Sequence, residues 1–378
     1  MTAIEAAVRT AVVDPSAYTP AYDHALCAAL ARAGASVQLV TSRFAYGEVP
    51  APDGYGVSEL FYRRARGAPG SRARRLSKLV SHPGGMRALR RLAASEADVV
   101  HFQWLAMPWL DAGLLPDGPL VLTAHDLLPR EPRLGQARVQ LRLLQRMSAV
   151  IVHSEYGRNQ LVNRLNLPAD KVHVIHHGAF EHVAAGAPSP LPSPLHQVDE
   201  PVVLFFGLVR PYKGVSTLLH AWREVTGAEL WVVGRPMTDM GPLRSAATGS
   251  VRFVDRYVAE QEVQAYFRRA DVIVLPYERT ERFDQSGVLA TALAFGKPVV
   301  LTDIGGFPEV AATGAGRLVA AGDAAALRDA LQGLIDDPAA RARLGQAATT
   351  AARGPYSWES AARQTLELYR SLLELVRQ

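Results

Sequence analysis

The chain has 378 residues, 48% of them apolar and 20% charged, enough to bury the cores of two domains. Its formal charge of +5 and pI of about 9.4 suit an anionic substrate, an anionic membrane surface or nucleic acid, while a lone cysteine, Cys27, excludes a disulfide framework or thiolate metal centre within one chain. No apolar run approaches the ~18–20 residues of a membrane span, and MTAIEAAVRTAVV lacks the pattern of a secretory leader.

Thr10–Asp14 (TAVVD) reads as a strand. After the loop PSAYTP, Thr19 caps a helix that starts on Pro20 and runs over Ala21–Ala33 to Gly34. Ser36–Thr41 (SVQLVT) is the next strand. This β–loop–α–β opening predicts a parallel sheet whose first loop lies at the ligand-binding ends of its strands. Arg63–Arg91 then carries Arg63, Arg64, Arg66, Arg72, Arg74, Arg75, Lys78, Arg87, Arg90 and Arg91 with no acidic residue. Leu76, Leu79, Val80, Met86 and Leu89 are interspersed. Two readings stay open: a basic amphipathic surface for anionic lipid or a phosphorylated acceptor, or the solvated face of a surface helix pair. No nucleic-acid-binding module surrounds the patch.

Asp98–Phe102, Leu120–Thr123, Ala149–His153 and Val172–Ile175 read as further strands. His125 and Asp126 follow the second of these, Ser154 caps the helix after the third, and HHGAF follows the fourth. Residues 1–183 therefore form a Rossmann-like domain. Residues 184–200, rich in proline, alanine and serine, form a linker that would serve as a hinge. Asp126 reads as a turn or cap residue. His176 and His177 point to opposite faces of a strand, which favours packing over a metal pair. Trp104 and Trp358 read as core or interface aromatics. No cluster suggests a metal ligand set.

Residues 201–356 repeat the rhythm, with strands at Glu229–Val233, Val251–Val254, Asp271–Leu275, Pro298–Thr302 and Gly316–Val319. The domain opens with PVVLFFGLVRPYKG. A buried apolar strand ends at Gly207, a short loop carries Arg210 and Lys213, and Gly214 opens a helix through Leu218, Leu219 and Trp222. Free N–H groups at a helix start, beside two cations, suit an anion. A second such element follows another strand: in YERTERFDQSGVLATALAFGKPVVLTDIGG, Gln285 and Ser286–Val288 open a helix where Gly287 permits close approach to the backbone. Two anion-binding elements in one domain suggest a diphosphate. Neither a dinucleotide-binding Gly-x-Gly-x-x-Gly after a first strand nor a Walker A sequence occurs.

These stretches resemble the family-four retaining glycosyltransferases of group 1. FFGLVRPYKG looks like that family's strand–Gly–x–x–Arg–x–x–Lys–Gly motif. SGVLATALAFGKPVVLTDIGGFPEV is similar to its donor-binding helix and following strand, VIHHGAF to the turn ending its first domain, and YSWE to the segment that crosses back onto that domain. The resemblance implies an α/β fold of two facing Rossmann-like domains (GT-B), with the last helix, from residue 357, packed on the first domain. It implies a retaining, metal-independent hexosyltransferase needing no cofactor. Its donor would be a nucleoside-diphosphate sugar, UDP- or GDP-linked. Its acceptor would be a hydroxyl of a glycolipid, polysaccharide or small molecule. The alternatives are a nucleotide-sugar epimerase, a non-catalytic donor-binding subunit, and a membrane- or polymer-binding interaction protein acting through Arg63–Arg91. The expected location is cytoplasmic, peripheral at the inner membrane through Arg63–Arg91, with no nucleic-acid partner.

The resemblance also implies roles. Arg210 and Lys213 would neutralise the donor diphosphate as charge develops on it. Gly207, Gln285, Ser286, Gly287 and Val288 would line the phosphates, Arg256 and Arg235 the base, and His125 the donor sugar, with Tyr18 and Thr19 in the first loop. The family's Glu-x7-Glu pair aligns with Phe283 and Thr291. Glu281 or Asp284 would then take the sugar contact, with Asp284 grouped among the catalytic residues, and Thr291 would offer the ribose a hydroxyl. Glu309 reads as a helix-start residue.

Overall fold

The computed structural model describes residues 7–68, 70–127, 135–186, 189–280 and 285–377. They form two compact units, residues 1–178 with 358–378, and residues 179–357. Each unit is built on one parallel sheet.

In the first unit the strands are β1 (Arg9–Asp14), β2 (Ser36–Thr41), β3 (Gly56–Glu59), β4 (Val99–Phe102), β5 (Leu120–Thr123), β6 (Ala149–Val152) and β7 (Val172–Val174), in the order β3-β2-β1-β4-β5-β6-β7. The chain reverses direction of growth between β1 and β4, so the crevice outside their carboxyl ends is where such a sheet takes ligands. β4, β5 and β6 are buried throughout, as continuous apolar runs in a doubly covered parallel sheet must be. The first helix, Pro20–Arg32, buries Tyr22, Leu26, Cys27 and Leu30. The last helix, Trp358–Arg377, packs on it through Ala361, Ala362, Thr365, Leu368, Tyr369 and Leu372. Their spacing of three and four puts one apolar stripe on the sheet side.

The second unit contains β8 (Val202–Phe206), β9 (Glu229–Val233), β10 (Val251–Val254), β11 (Val272–Leu275), β12 (Val299–Thr302) and β13 (Gly316–Val319), ordered β10-β9-β8-β11-β12-β13. Alternate residues of β8 face opposite sides. Val202 and Leu204 join one core with Trp231, Tyr266 and Phe307, whereas Val203 and Phe205 join another with Trp222, Leu218 and Leu331. The switch point lies between β8 and β11.

Four expectations change. β3 was not anticipated; it is a short edge strand whose exposed and half-buried residues alternate. Within the basic stretch one helix forms, Arg72–Glu96, and not a pair, with Arg63, Arg64 and Arg66 in the non-helical segment before it. Ser71 caps it by accepting from the Arg74 N–H at 3.2 Å, and Pro83 lies inside it. Gly85 there packs so closely on Phe61 that a Cβ would overlap the ring. The boundary between units falls at Gly178/Ala179, not at 183/184. The described residues of the proline-rich stretch pack as part of the second unit rather than as a free linker. Arg268 donates to the Ala184 and Gly186 carbonyls at 3.0 Å each, Arg269 donates to those of Val198 and Glu200, and Leu195 enters the core.

Candidate functional site

In the second unit, β8 ends at Gly207, whose φ of 105° only glycine holds without strain. The chain then stays beside β9, Val209 N–H donating to Arg235 O at 3.0 Å. A single turn, Pro211–Lys213, leads to Gly214 at φ 69° and into the helix Val215–Trp222. From across the switch point come Tyr277, just beyond β11, and Ser286, which precedes the helix Gly287–Ala294.

Lys213 is buried, and its Nζ donates to Tyr277 Oη while lying 4.4 Å from the centre of that ring. Tyr277 Oη lies 3.1 Å from Ser286 Oγ. The Ser286 hydroxyl therefore turns to Tyr277 and caps no N–H of its helix. A Cβ on Gly207 would stand 3.3 Å from Val288 and 3.8 Å from Lys213 Nζ. Gly207, Lys213, Gln285, Ser286, Gly287 and Val288 thus meet at one corner of the sheet. Arg210 is half-buried, and its Nε is buried without a partner among the described residues. An unpaired guanidinium N–H and an open helix start form a place where an anion would gain and water loses. Tyr277, to which sequence reasoning gave no role, is what holds the lysine.

The remaining expected donor residues stand differently. Arg235 is exposed. Arg256 is paired with Glu262 at 2.5 and 2.9 Å, so it reaches any ligand with its charge already balanced. Thr291 Oγ1 donates to Gly287 O at 2.9 Å, the usual back-bond of a helical threonine, which leaves it only lone pairs to offer. Asp284 and Glu281, with Phe283, lie outside the described residues.

In the first unit, His125 follows β5 and borders a cavity of about 250 Å³ lined in part by Tyr18, Gln103, Trp104, Asp126 and Gln140. Trp104 stacks on His125 with centroids 5.1 Å apart, and Tyr18 meets Trp104 edge-on at 5.5 Å. Of the core and interface positions expected for Trp104, the core is not where it lies: it is half-buried and walls this cavity. The first loop binds its own anion. The N–H groups of Ser16 and Thr19, at 3.1 Å each, and of Tyr18 all donate to the Asp14 carboxylate. Tyr18 and Thr19 therefore have no backbone donors to spare for a phosphate. Without paired glycines, the loop has closed on a side-chain acceptor. Thr19 does not cap either: its hydroxyl donates to Asp23 at 3.3 Å and accepts from the Trp104 indole at 2.9 Å. Burial, then the neighbouring Asp14 charge, holds the Asp23 carboxyl well above the usual range.

Behind the cavity, consecutive strands bring histidines together. His125 Nε2 lies 3.1 Å from Gln103 Oε1, and His125 Nδ1 lies 3.4 Å from His153 Nε2. Gln103 Nε2 lies 3.3 Å from His101, and His153 Nδ1 donates to Ile175 O at 2.9 Å. Tyr22 sits among the rings of His125, His153 and His177. Burial pushes His101 and His153 down to about 3 and His177 to about 4, and it carries His125 well below its ordinary value. Between those values and 6.5 the unfolded chain binds protons that the folded chain does not, so stability rises with pH there. Below pH 6.5 each such histidine removes about 1.4 kcal/mol per pH unit. The unfolding midpoint is expected to drop steeply from pH 7 to pH 5 in calorimetry; a flat profile would refute neutral burial. Gln103, His101 and His153 escaped sequence reasoning, although a histidine at or near the end of each of β4, β5, β6 and β7 was there to be noticed.

The glycosyl transferases group 1 profile matches residues 200–337, and the glycosyltransferase family 4 profile matches residues 22–179. The D-inositol 3-phosphate glycosyltransferase of Corynebacterium efficiens is 30% identical over 330 residues, 78% of this chain and 76% of that protein. The sucrose-phosphate synthase of Thermosynechococcus elongatus superposes with a TM-score of 0.75 at 22% identity, over 97% of this chain and 100% of that one. The Anabaena protein HepE, solved with UDP and glucose, gives 0.74 at 18% identity, over 96% and 100%. These likenesses give the epimerase reading no support.

Proposed function

The chain belongs to the group 1 glycosyltransferases of family 4, and from that premise we propose a retaining transfer from a UDP- or GDP-linked sugar to a hydroxyl acceptor. The observation that carries this reading is the corner where Lys213, anchored by Tyr277, meets the helix start at Ser286–Val288, with the Arg210 Nε beside it buried and without a partner among the described residues. The bond from sugar C1 to the diphosphate oxygen breaks and its electron pair leaves with the diphosphate. The acceptor oxygen bonds C1 on the same face, and its proton passes to the departing oxygen. Negative charge grows on the diphosphate as the bond breaks, so fixed cations and N–H dipoles favour the transition state over the ground state. These protein charges do the work a divalent ion would otherwise do. The acceptor hydroxyl docks in the cavity walled by Trp104 and His125.

Thermal-shift screening against UDP-, GDP- and ADP-sugars tests donor binding. At about 100-fold over Kd, a ligand of the native state adds ~2.7 kcal/mol, a rise of about 5 °C. Release of free nucleotide with EDTA present tests the metal-free chemistry. A panel in which no nucleotide sugar shifts the midpoint removes the reading.

The helix Arg72–Glu96 leaves Leu76, Leu79 and Val80 exposed among its arginines, at 63%, 48% and 75%. Apolar side chains ringed by cations suit the headgroup boundary of an anionic bilayer. The protein is expected to co-sediment with phosphatidylglycerol vesicles at low salt and to be released by high salt. Equal binding to phosphatidylcholine, or none to either, rules this contact out.

A further inference from the structure

Gln103 is almost wholly buried and touches both His101 and His125 through the two ends of its amide. It follows β4 directly and is fixed there by its own N–H, which donates to Val13 O at 2.8 Å. The protons of this cluster can be assigned in order. Ile175 O can only accept, so His153 carries its proton on Nδ1. A neutral His153 then presents a bare lone pair at Nε2, facing His125 Nδ1 at 3.4 Å. For those two atoms to attract, His125 must carry its proton on Nδ1. Its Nε2 is then an acceptor and needs a donor, and the group at that position is the Gln103 amide. A half-turn of the amide about its last bond presents the NH2 to His125 and the oxygen to His101 Nε2–H. His101 Nδ1 then accepts from Tyr369 O–H at 2.6 Å, and Thr123 Oγ1, 2.7 Å from His101 Nε2, accepts as well. Each of these contacts from Tyr369 to Ile175 O then sets a donor against an acceptor. The opposite amide orientation puts the His125 proton on Nε2 and sets two bare nitrogens against each other, unless an extra proton, and so a charge, is buried between them.

We propose that Gln103 is a positioning residue, whose amide donates to His125 Nε2 and, with His153, locks His125 as the uncharged Nδ1–H tautomer beside the cavity. The groups facing His125 agree: His101 from β4, His153 from β6, His177 after β7 and Tyr22 from the first helix are all neutral in this arrangement, and Trp104 covers its face. On the transferase reading, on which this role rests, the lock matters because positive charge develops on the sugar as the diphosphate leaves. An imidazolium at the cavity would oppose that charge, and a neutral ring does not.

The test uses the full chain labelled with ¹⁵N-histidine, and long-range proton–nitrogen correlation spectra from pH 5.5 to 8. His125 is assigned by its loss in His125→Gln. The expected result is a neutral Nδ1–H pattern for both His125 and His153 throughout. An Nε2–H or imidazolium pattern for His125 overturns the proposal. In Gln103→Glu the new carboxylate can only accept, so His125 must place a proton on Nε2 and take up charge. Turnover at pH 6 is expected to fall about tenfold or more and to recover toward high pH, a limb absent from the parent. Gln103→Met keeps the shape without the donor, so the His125 Nε2 resonance should lose its hydrogen-bond shift and an Nε2–H population should appear, with no charge taken up and no such limb added. Identical behaviour of the two variants would mean that Gln103 only fills space. The spectra require no catalysis. An inactive parent protein would therefore sink the transferase reading and leave the tautomer result standing.

Discussion

Lys213→Ala should lower turnover at saturating donor by about 100-fold, the scale of one lost electrostatic contact in a transition state. The lysine is buried, its ammonium rests over the Tyr277 ring at 4.4 Å, and its Nζ donates to the phenol. A cation so held has little side-chain freedom left to lose when the diphosphate arrives, so its charge is spent on stabilisation rather than on ordering. Tyr277→Phe keeps the ring and removes the hydroxyl that ties Lys213 to Ser286. Its effect should lie between the parent and Lys213→Ala. Steady-state kinetics separate the outcomes. A fall in kcat marks a contact made in the transition state. A change confined to KM would mean uniform donor binding, and an unchanged kcat would remove Lys213 from the chemistry.

Gly214→Ala should destabilise the protein by about 3 kcal/mol, at the upper end of single substitutions. At φ 69° a Cβ would run into the carbonyl oxygen of Pro276. That carbonyl precedes Tyr277, and the next residue, Glu278, donates its N–H to Tyr212 O at 2.7 Å. The loops after β8 and β11 touch at this point, so relief of the clash must separate Lys213 from Tyr277. Donor affinity should fall along with stability. Gly227→Ala is the control: its φ is 71°, but nothing lies within 4 Å of its Cβ, so only the backbone cost of about 1 kcal/mol applies. Urea unfolding measures both. Equal losses in the two variants would show that the loops do not depend on this approach.

What could be read from the residues was what local chemistry dictates. Buried parallel strands must be unbroken apolar runs, which is why VVLFF, AVIV and VVLT stood out and why the edge strand GVSE did not. The glycine after β8, the two cations and the helix start marked the corner that the structure assembles, because those residue types in that order suit an anion. The partners across the switch point could not be read. Tyr277 reaches Lys213 from 64 residues away, and that distance in sequence closes only when β11 takes its place beside β8. The histidine cluster depends in the same way on register: Val12 pairs with His101, and Thr123 with Ile151. The Asp14 carboxylate was visible at the end of β1. Its capture of the loop was not, because which acceptor takes the N–H groups of Ser16, Tyr18 and Thr19 depends on how the chain turns after β1.

The last helix also bears on the order in which the chain can fold during synthesis. Residues 179–357 are contiguous and hold every strand of their sheet, so that unit can close its core as soon as it has emerged. The first unit emerges earlier yet must wait. Tyr369, which fills its interior and hydrogen-bonds to His101, belongs to a helix made only after the whole of the second unit. The half of the protein translated first is therefore completed last. Until then it exposes the apolar face of Pro20–Arg32 that the returning helix covers.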